Sequence, residues 1–242
     1  MIFAYLDLLR ISVIAFVAFL GAVVVALLWG IAFHEFNHAL AASSLGDPTA
    51  RRLGRLSLNP LVHLDPAGTA LLFLVGFGWG KPVPVNPYSL RGGGRQSMAL
   101  VAAAGPLSNL FTAALFALPI KAGLFPWHTP FLIPPRSIFE RWAMDDYVGL
   151  FLATVVIFNI ILAIFNFIPL APLDGFRVVA GILPPEMADA FLALERYGPV
   201  ILILLLVLPF VTGGSLSPIF VVMEPVINGL IYLLTGVDSP VF

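Results

Sequence analysis

The chain has 242 residues, 60% hydrophobic and only 10% charged, with a formal net charge of −1 and a mean hydropathy of +1.02. Soluble domains carry about 25% charged residues, so the composition excludes an ordinary soluble protein, and the charge balance offers no basic face to a nucleic acid. Cysteine is absent, which excludes disulfides and thiolate ligands and leaves His, Asp and Glu to hold any metal.

The opening "MIFAYLDLLR" lacks a basic n-region, and no small-residue cleavage site interrupts the apolar run that follows. The first helix is therefore expected to stay in the mature protein. Its apolar part runs from Ile11 to Trp29, with helix expected to continue to Leu45. Further spans are expected at Met98–Leu118 and Val148–Ile168. A final pair, Pro199–Val211 and Leu216–Leu234, is split by the turn signal "TGGS". Spanning takes about 20 apolar residues, so the Pro199–Val211 stretch reads as marginal or tilted.

The stretch Ala67–Gly80, "AGTALLFLVGFGWG", is too short for an ordinary span and is followed by "KPVPVNP". It reads as a re-entrant or short β-hairpin segment near 67–87. The expected fold class is an all-α polytopic membrane protein with about five to six transmembrane helices. One integral membrane domain is expected over 1–242, with a catalytic core at 11–180 and a C-terminal helical pair at 198–236.

Between Ser43 and Ser97 lie Arg51, Arg52, Arg55, Lys81, Arg91 and Arg95, against Asp47 and Asp65. That excess predicts a cytoplasmic location for the segment and an outside N-terminus. The chain is thus expected to be multi-pass in the cell membrane, with its site opening toward the cytoplasm.

The first helix ends in "HEFNH". Residues four apart share a helical face, so His34 and His38 can reach one ion. Glu35, offset by one position, can reach a water on it. An H-E-x-x-H helix uses two His ligands and a Glu general base, and zinc is the ion it serves. The plain alternative is three interfacial polar residues on a helix that has left the lipid. Ionisable groups beside a membrane span point to function by default.

Candidates for a third ligand are Asp47, Asp65, Asp145, Asp146, Asp174, Glu186 and Glu224. Asp174 stands out, because "NFIPLAPLDG" closes the third span at the level where the first helix carries HExxH. Pro169 and Pro172 disfavour further helix there, and Gly175 allows a tight turn. The alternative is a turn aspartate that caps the next helix. His63 and Asp65, between Pro60 and Pro66, suit structural hydrogen bonding, cleft lining or metal ligation. His128 beside Trp127 suits an outer interface. In "AAAGPLSNL", Ala102 to Gly105 suit close helix packing. Asn109 suits either an interhelical hydrogen bond or a contact with a bound peptide.

"HEFNHALAA", "AAAGPLSN" and "NFIPLAPLDG", on successive spans, together resemble the site-2 protease family of intramembrane zinc metalloproteases, over about Phe33 to Val179. The resemblance implies Zn²⁺ held by His34, His38 and Asp174, with Glu35 as catalytic base. It implies a role for Asn166 in contacting substrate or transition state, and Asn109 is the second candidate for substrate contact. "GRLSLNPLVHLDPAG" and "GWGKPVPVNP" resemble a compact branch without PDZ or CBS domains. Membrane proteins with a transmembrane helix are the implied substrates. The rival readings are a membrane scaffold or metal carrier reusing the fold, and a different HExxH membrane peptidase with a downstream Glu ligand.

Overall fold

The computed structural model describes residues 8–75, 78–92, 94–131 and 136–238, with backbone alone over 72–75. The major helices are α1 (Val13–Ser44), α2 (Pro66–Val75), α3 (Gly94–Lys121), α4 (Met144–Phe167), α5 (Asp174–Ile182), α6 (Pro185–Leu192), α7 (Gly198–Val211) and α8 (Pro218–Thr235). Single turns at Thr49–Arg52 and Arg136–Phe139 lie in the connections. No strand is present among the described residues.

Among the described residues, five helical runs are long and apolar enough to cross a membrane: α1, α3, Met144–Asn166 of α4, Pro185–Val211, and α8. The protein is an all-α, multi-pass membrane protein. The fourth run contains the expected helix, with α7 at Gly198–Val211, and extends it backward: through the 3₁₀ turn Glu195–Tyr197 and α6 it reaches Pro185, 27 residues in all. Glu186, Asp189, Glu195 and Arg196 hid its first half from an apolar reading.

Ser12 starts α1 by accepting the Ala15 N–H on its hydroxyl at 3.2 Å. At 32 residues, α1 is about 48 Å long, well beyond the ~30 Å hydrocarbon core. It packs against α3 and α4, and these three helices form the centre of the molecule. Small residues bring their axes together: Ala15, Ala22 and Ala26 of α1, Ala102, Ala113 and Ala117 of α3, and Ala153 and Ala163 of α4 are all buried. Lipid tails are as apolar as a leucine side chain, so close van der Waals packing drives association here. A second seam sets Ile219, Met223, Ile227 and Ile231 of α8, one per turn, on Ala113, Ala117, Val156, Ile157 and Ile160. By contrast α7 turns Val200, Ile203, Leu204 and Phe210 outward.

The segment near 67–87 contains α2, of ten residues, about 15 Å long. The chain then returns to its base. Leu64 and Gly80 form one antiparallel bridge, and the Lys81 N–H donates to the His63 carbonyl at 2.7 Å. The two limbs meet at this bridge and not along a ladder, so the described residues form no β-hairpin. Gly76 and Phe77 lie outside the described residues. Beyond the bridge, residues 80–90 form a strap beside the C-terminal part of α1, without regular structure as far as Asn86 and closing in a 3₁₀ turn at Pro87–Ser89.

Candidate metal centre

His34 and His38 lie on one face of α1, one turn apart. Asp174 is the first residue of α5. The helix ahead of it stops at Phe167, and Pro169 and Pro172 keep the linker non-helical. Gly175 then passes so near the Phe167 and Ile168 carbonyls that a Cβ would collide with them. The outcome is a carboxylate delivered to α1 across 136 positions of sequence.

The three groups converge. Asp174 Oδ2 lies 3.1 Å from His34 Nε2 and 3.2 Å from His38 Nε2, and the two Nε2 atoms are 2.9 Å apart. Their ligand atoms form the one group of three or more His, Asp or Glu able to hold a metal among the described residues.

The outer nitrogens decide the protonation. His34 Nδ1 sits 2.6 Å from Asn109 Oδ1, and His38 Nδ1 sits 2.7 Å from the Val101 carbonyl. Both partners are acceptors, so both Nδ1 atoms carry hydrogen, and in the neutral rings both Nε2 lone pairs face inward. There they meet Asp174 Oδ2, a buried oxygen without a hydrogen-bond partner. Three acceptors pointing at one another are repulsive unless a cation lies among them. Two imidazoles and a carboxylate are a fitting donor set for a zinc ion that keeps an open position.

Two further features keep that place open and aligned. Gly105 of α3 faces both rings: a Cβ there would stand 2.6 Å from His34 Nε2 and closer still to His38 Nε2. Asn109, fully buried, anchors the other side of His34. Its Nδ2 donates to the Gly30 carbonyl and to Asn159 Oδ1, each at 3.0 Å. Asn159 of α4, also fully buried, donates to the Val155 carbonyl at 2.9 Å. The orientation of one metal-facing ring is thus fixed through three helices.

The remaining expected residues are placed as follows. Glu35 leaves the trio and extends toward the strap, where its Oε2 accepts the Val83 N–H at 3.2 Å. Asn109 takes the interhelical option, with both amide hydrogens and its oxygen engaged inside the helix core, so substrate contact does not describe its place here. Asn166 donates to Leu162 O, one turn back, at 2.9 Å and makes no hydrogen bond to the trio. His63 and Asp65 stand outside the trio and make local hydrogen bonds. The buried His63 donates from Nε2 to the Ser57 carbonyl at 2.7 Å, while Asp65 Oδ1 accepts the Gly68 N–H at the start of α2 at 2.8 Å. His128 pairs with Asp146 at 2.8 Å and packs against Trp142.

Sequence reading missed Asn159, the space that Gly105 leaves, and the Val83 amide. A lone asparagine in "VVIFNIIL" was a legible signal, since polar side chains within spans pair or act. Backbone amides and empty space carry no letter.

Fold and site together define a multi-pass membrane protein with a buried His–His–Asp cation site beside a glutamate. Comparison with known proteins agrees. The chain is 36% identical over 186 residues to "Putative zinc metalloprotease YwhC" of Bacillus subtilis, covering 77% of this chain and 80% of that protein. It is 27% identical over 190 residues to "Putative zinc metalloprotease Rip2" of Mycolicibacterium smegmatis, covering 77% of this chain and 67% of that protein. With the Mycobacterium tuberculosis H37Rv protein of the same name it shares 25% over 223 residues, 90% of this chain and 78% of that one. No family model matches the chain, and no solved structure matches it. The chain belongs to the zinc metalloprotease family of these relatives.

Proposed function

We propose that the protein is a site-2-type intramembrane endopeptidase that hydrolyses peptide bonds of membrane-spanning substrate proteins. One observation carries the reading: two Nε2 atoms and a carboxylate oxygen face one another within 2.9–3.2 Å, both Nδ1 atoms are turned outward to acceptors, and the adjacent side chain in sequence is a glutamate. Zinc is the cofactor, and His34, His38 and Asp174 hold it. Bound there, zinc supplies a Lewis acid that acidifies water and polarises a carbonyl.

The chain's own groups do the rest. Asn109 and the Val101 carbonyl hold the imidazoles in the ligating tautomer. Glu35 has one oxygen tied to the Val83 amide, which leaves Oε1 to take a proton from the attacking water and return it to the leaving amine. Asn166, at the end of α4 before the Asp174 turn, is proposed to contact the substrate near its scissile carbonyl. A substrate helix hides its amides, so it must unwind first. The strap and the preceding Gly- and Pro-rich stretch are proposed to pair with the unwound strand, with the 67–87 segment entering the bilayer. Arg51, Arg52 and Arg55 support a cytoplasmic opening in the cell membrane. Helical membrane proteins are the proposed partners, and 1–242 is proposed to act as one domain.

Glu35→Gln and Asp174→Ala test the reading on the purified chain with a transmembrane substrate. Glu35→Gln is expected to keep stoichiometric zinc and lose cleavage. Asp174→Ala is expected to lose much of both. Cleavage by zinc-loaded Glu35→Gln at the wild-type rate would refute the peptidase mechanism.

A further inference from the structure

Arg55 is a charged residue in the loop after α1 and is only 6% exposed. No carboxylate pairs with it among the described residues. Its guanidinium instead donates to three backbone carbonyls. Nη1 binds the Val62 carbonyl, and Nη2 binds those of Lys81 and Pro82 at 2.8 and 2.9 Å. Burying an arginine is costly unless its donors are used, so the fold invests this group in one task. It ties the turn before α2 to the start of the strap.

The next residue on the strap is Val83, whose N–H meets Glu35. The neighbouring positions, Pro82 and Pro84, have no N–H to offer, so Val83 is the only one of the three able to donate. At the far end Asp47 accepts the Asn86 N–H on Oδ2 at 2.6 Å. The strap is thus pinned at both ends by buried charged side chains, and between them the Val83 amide, flanked by two prolines, is aimed at the glutamate.

We propose that Arg55 is a positioning residue for the reaction: through Lys81 and Pro82 it sets where the Val83 amide holds the Glu35 carboxylate. This rests on the peptidase reading above. Displacing a general base by about 1 Å lowers turnover on the order of 100-fold, with substrate binding little changed.

The experiment uses the full chain, zinc-loaded, in lipid nanodiscs. Because the protein has no cysteine, Lys81→Cys provides a sole thiol for a spin label on the exposed side of the strap. Arg55→Gln is expected to mobilise that label and to lower kcat about 10- to 100-fold, with KM within about twofold and zinc content unchanged. Arg55→Lys keeps the charge, supplies fewer directed donors and should recover part of the turnover. Val83→Pro, which deletes the amide hydrogen, should lower kcat by a similar factor. The Arg55→Gln, Val83→Pro double variant should fall no further, since the two act in series.

A raised KM with kcat intact would overturn the proposal and make the strap a substrate edge alone. Additive losses in the double variant would overturn it too. If wild-type protein holds zinc yet cleaves no better than Glu35→Gln, the peptidase reading fails. The label then judges the tether separately, and an immobile label in Arg55→Gln refutes it.

Discussion

Among the described residues, two histidine–aspartate constellations have similar atom separations and opposite character. At the start of α4, His128 Nε2 lies 2.8 Å from Asp146 Oδ1, and the other oxygen of Asp146 accepts the Ala143 N–H at 2.8 Å. Each carboxylate oxygen there has a hydrogen pointed at it, so the pair is complete and serves the helix N-terminus. At the end of α1, both histidines direct their hydrogens away, to Asn109 and Val101, and Asp174 Oδ2 receives none. Distance does not separate a cation site from an ion pair. The placement of the protons does, and partners behind the rings set it.

The most severe way to break the comparison is to delete each carboxylate. Asp174→Ala should lose much of its zinc, because two imidazoles remain of three ligands. Asp146→Ala should leave zinc unchanged and cost about 1 kcal/mol of stability through the lost cap. Metal content after dialysis and thermal unfolding read the two effects. Equal zinc loss in both variants would remove the distinction. Gly105→Ala comes next. A methyl group would enter the space before both Nε2 atoms, so zinc affinity should fall by at least about 100-fold, comparable to the most damaging changes around a metal site, while Gly229→Ala, with open space around it, should not alter it.

A finer prediction concerns the partners behind the rings. Asn109→Leu removes the acceptor that fixes His34 and should weaken zinc about 10- to 100-fold. Asn159→Leu, one bond further away, should have a smaller effect of the same sign. Competition with a chelator measures both. An unchanged affinity in Asn109→Leu would show that packing alone orients the ring.

Much of this was legible in the sequence. The spans follow from length and hydropathy, and the α1 ligands from a spacing of four on a helix. Asp174 was readable because two prolines must end α4 and "DG" must turn at that level. What stayed hidden was relational. Asn109 read equally well as a helix contact or a peptide contact, since only the neighbours' orientation distinguishes them. Gly105 read as packing, because nothing in one sequence tells which surface a missing side chain faces. Arg55 read as one more positive charge in a loop. Its burial follows from the return of the chain at Lys81 and Pro82, contacts across 26 and 27 residues that no local pattern encodes.

The mildest prediction leaves the metal untouched and probes the strap's far anchor. Asp47 is fully buried. Burial alone would raise its pKa, but the Thr49 hydroxyl, the Asn86 and Thr49 amides and the Arg52 charge outweigh it and hold the carboxyl below its ordinary value. The folded pKa is therefore lower than the unfolded one. The stabilisation is complete above the unfolded value of about 3.9 and fades as pH falls through the folded one. A spin label on Tyr88→Cys, an exposed strap position, should stay ordered from pH 7 to about pH 4 and loosen only below. In Asp47→Asn the amide can accept on one side only, so its NH₂ faces a strap or turn N–H. That variant should be loose at every pH, at a cost of about 1–3 kcal/mol, with zinc affinity unchanged. Loosening that begins near pH 6, or that follows the same pH course in Asp47→Asn, would assign the tether to another group.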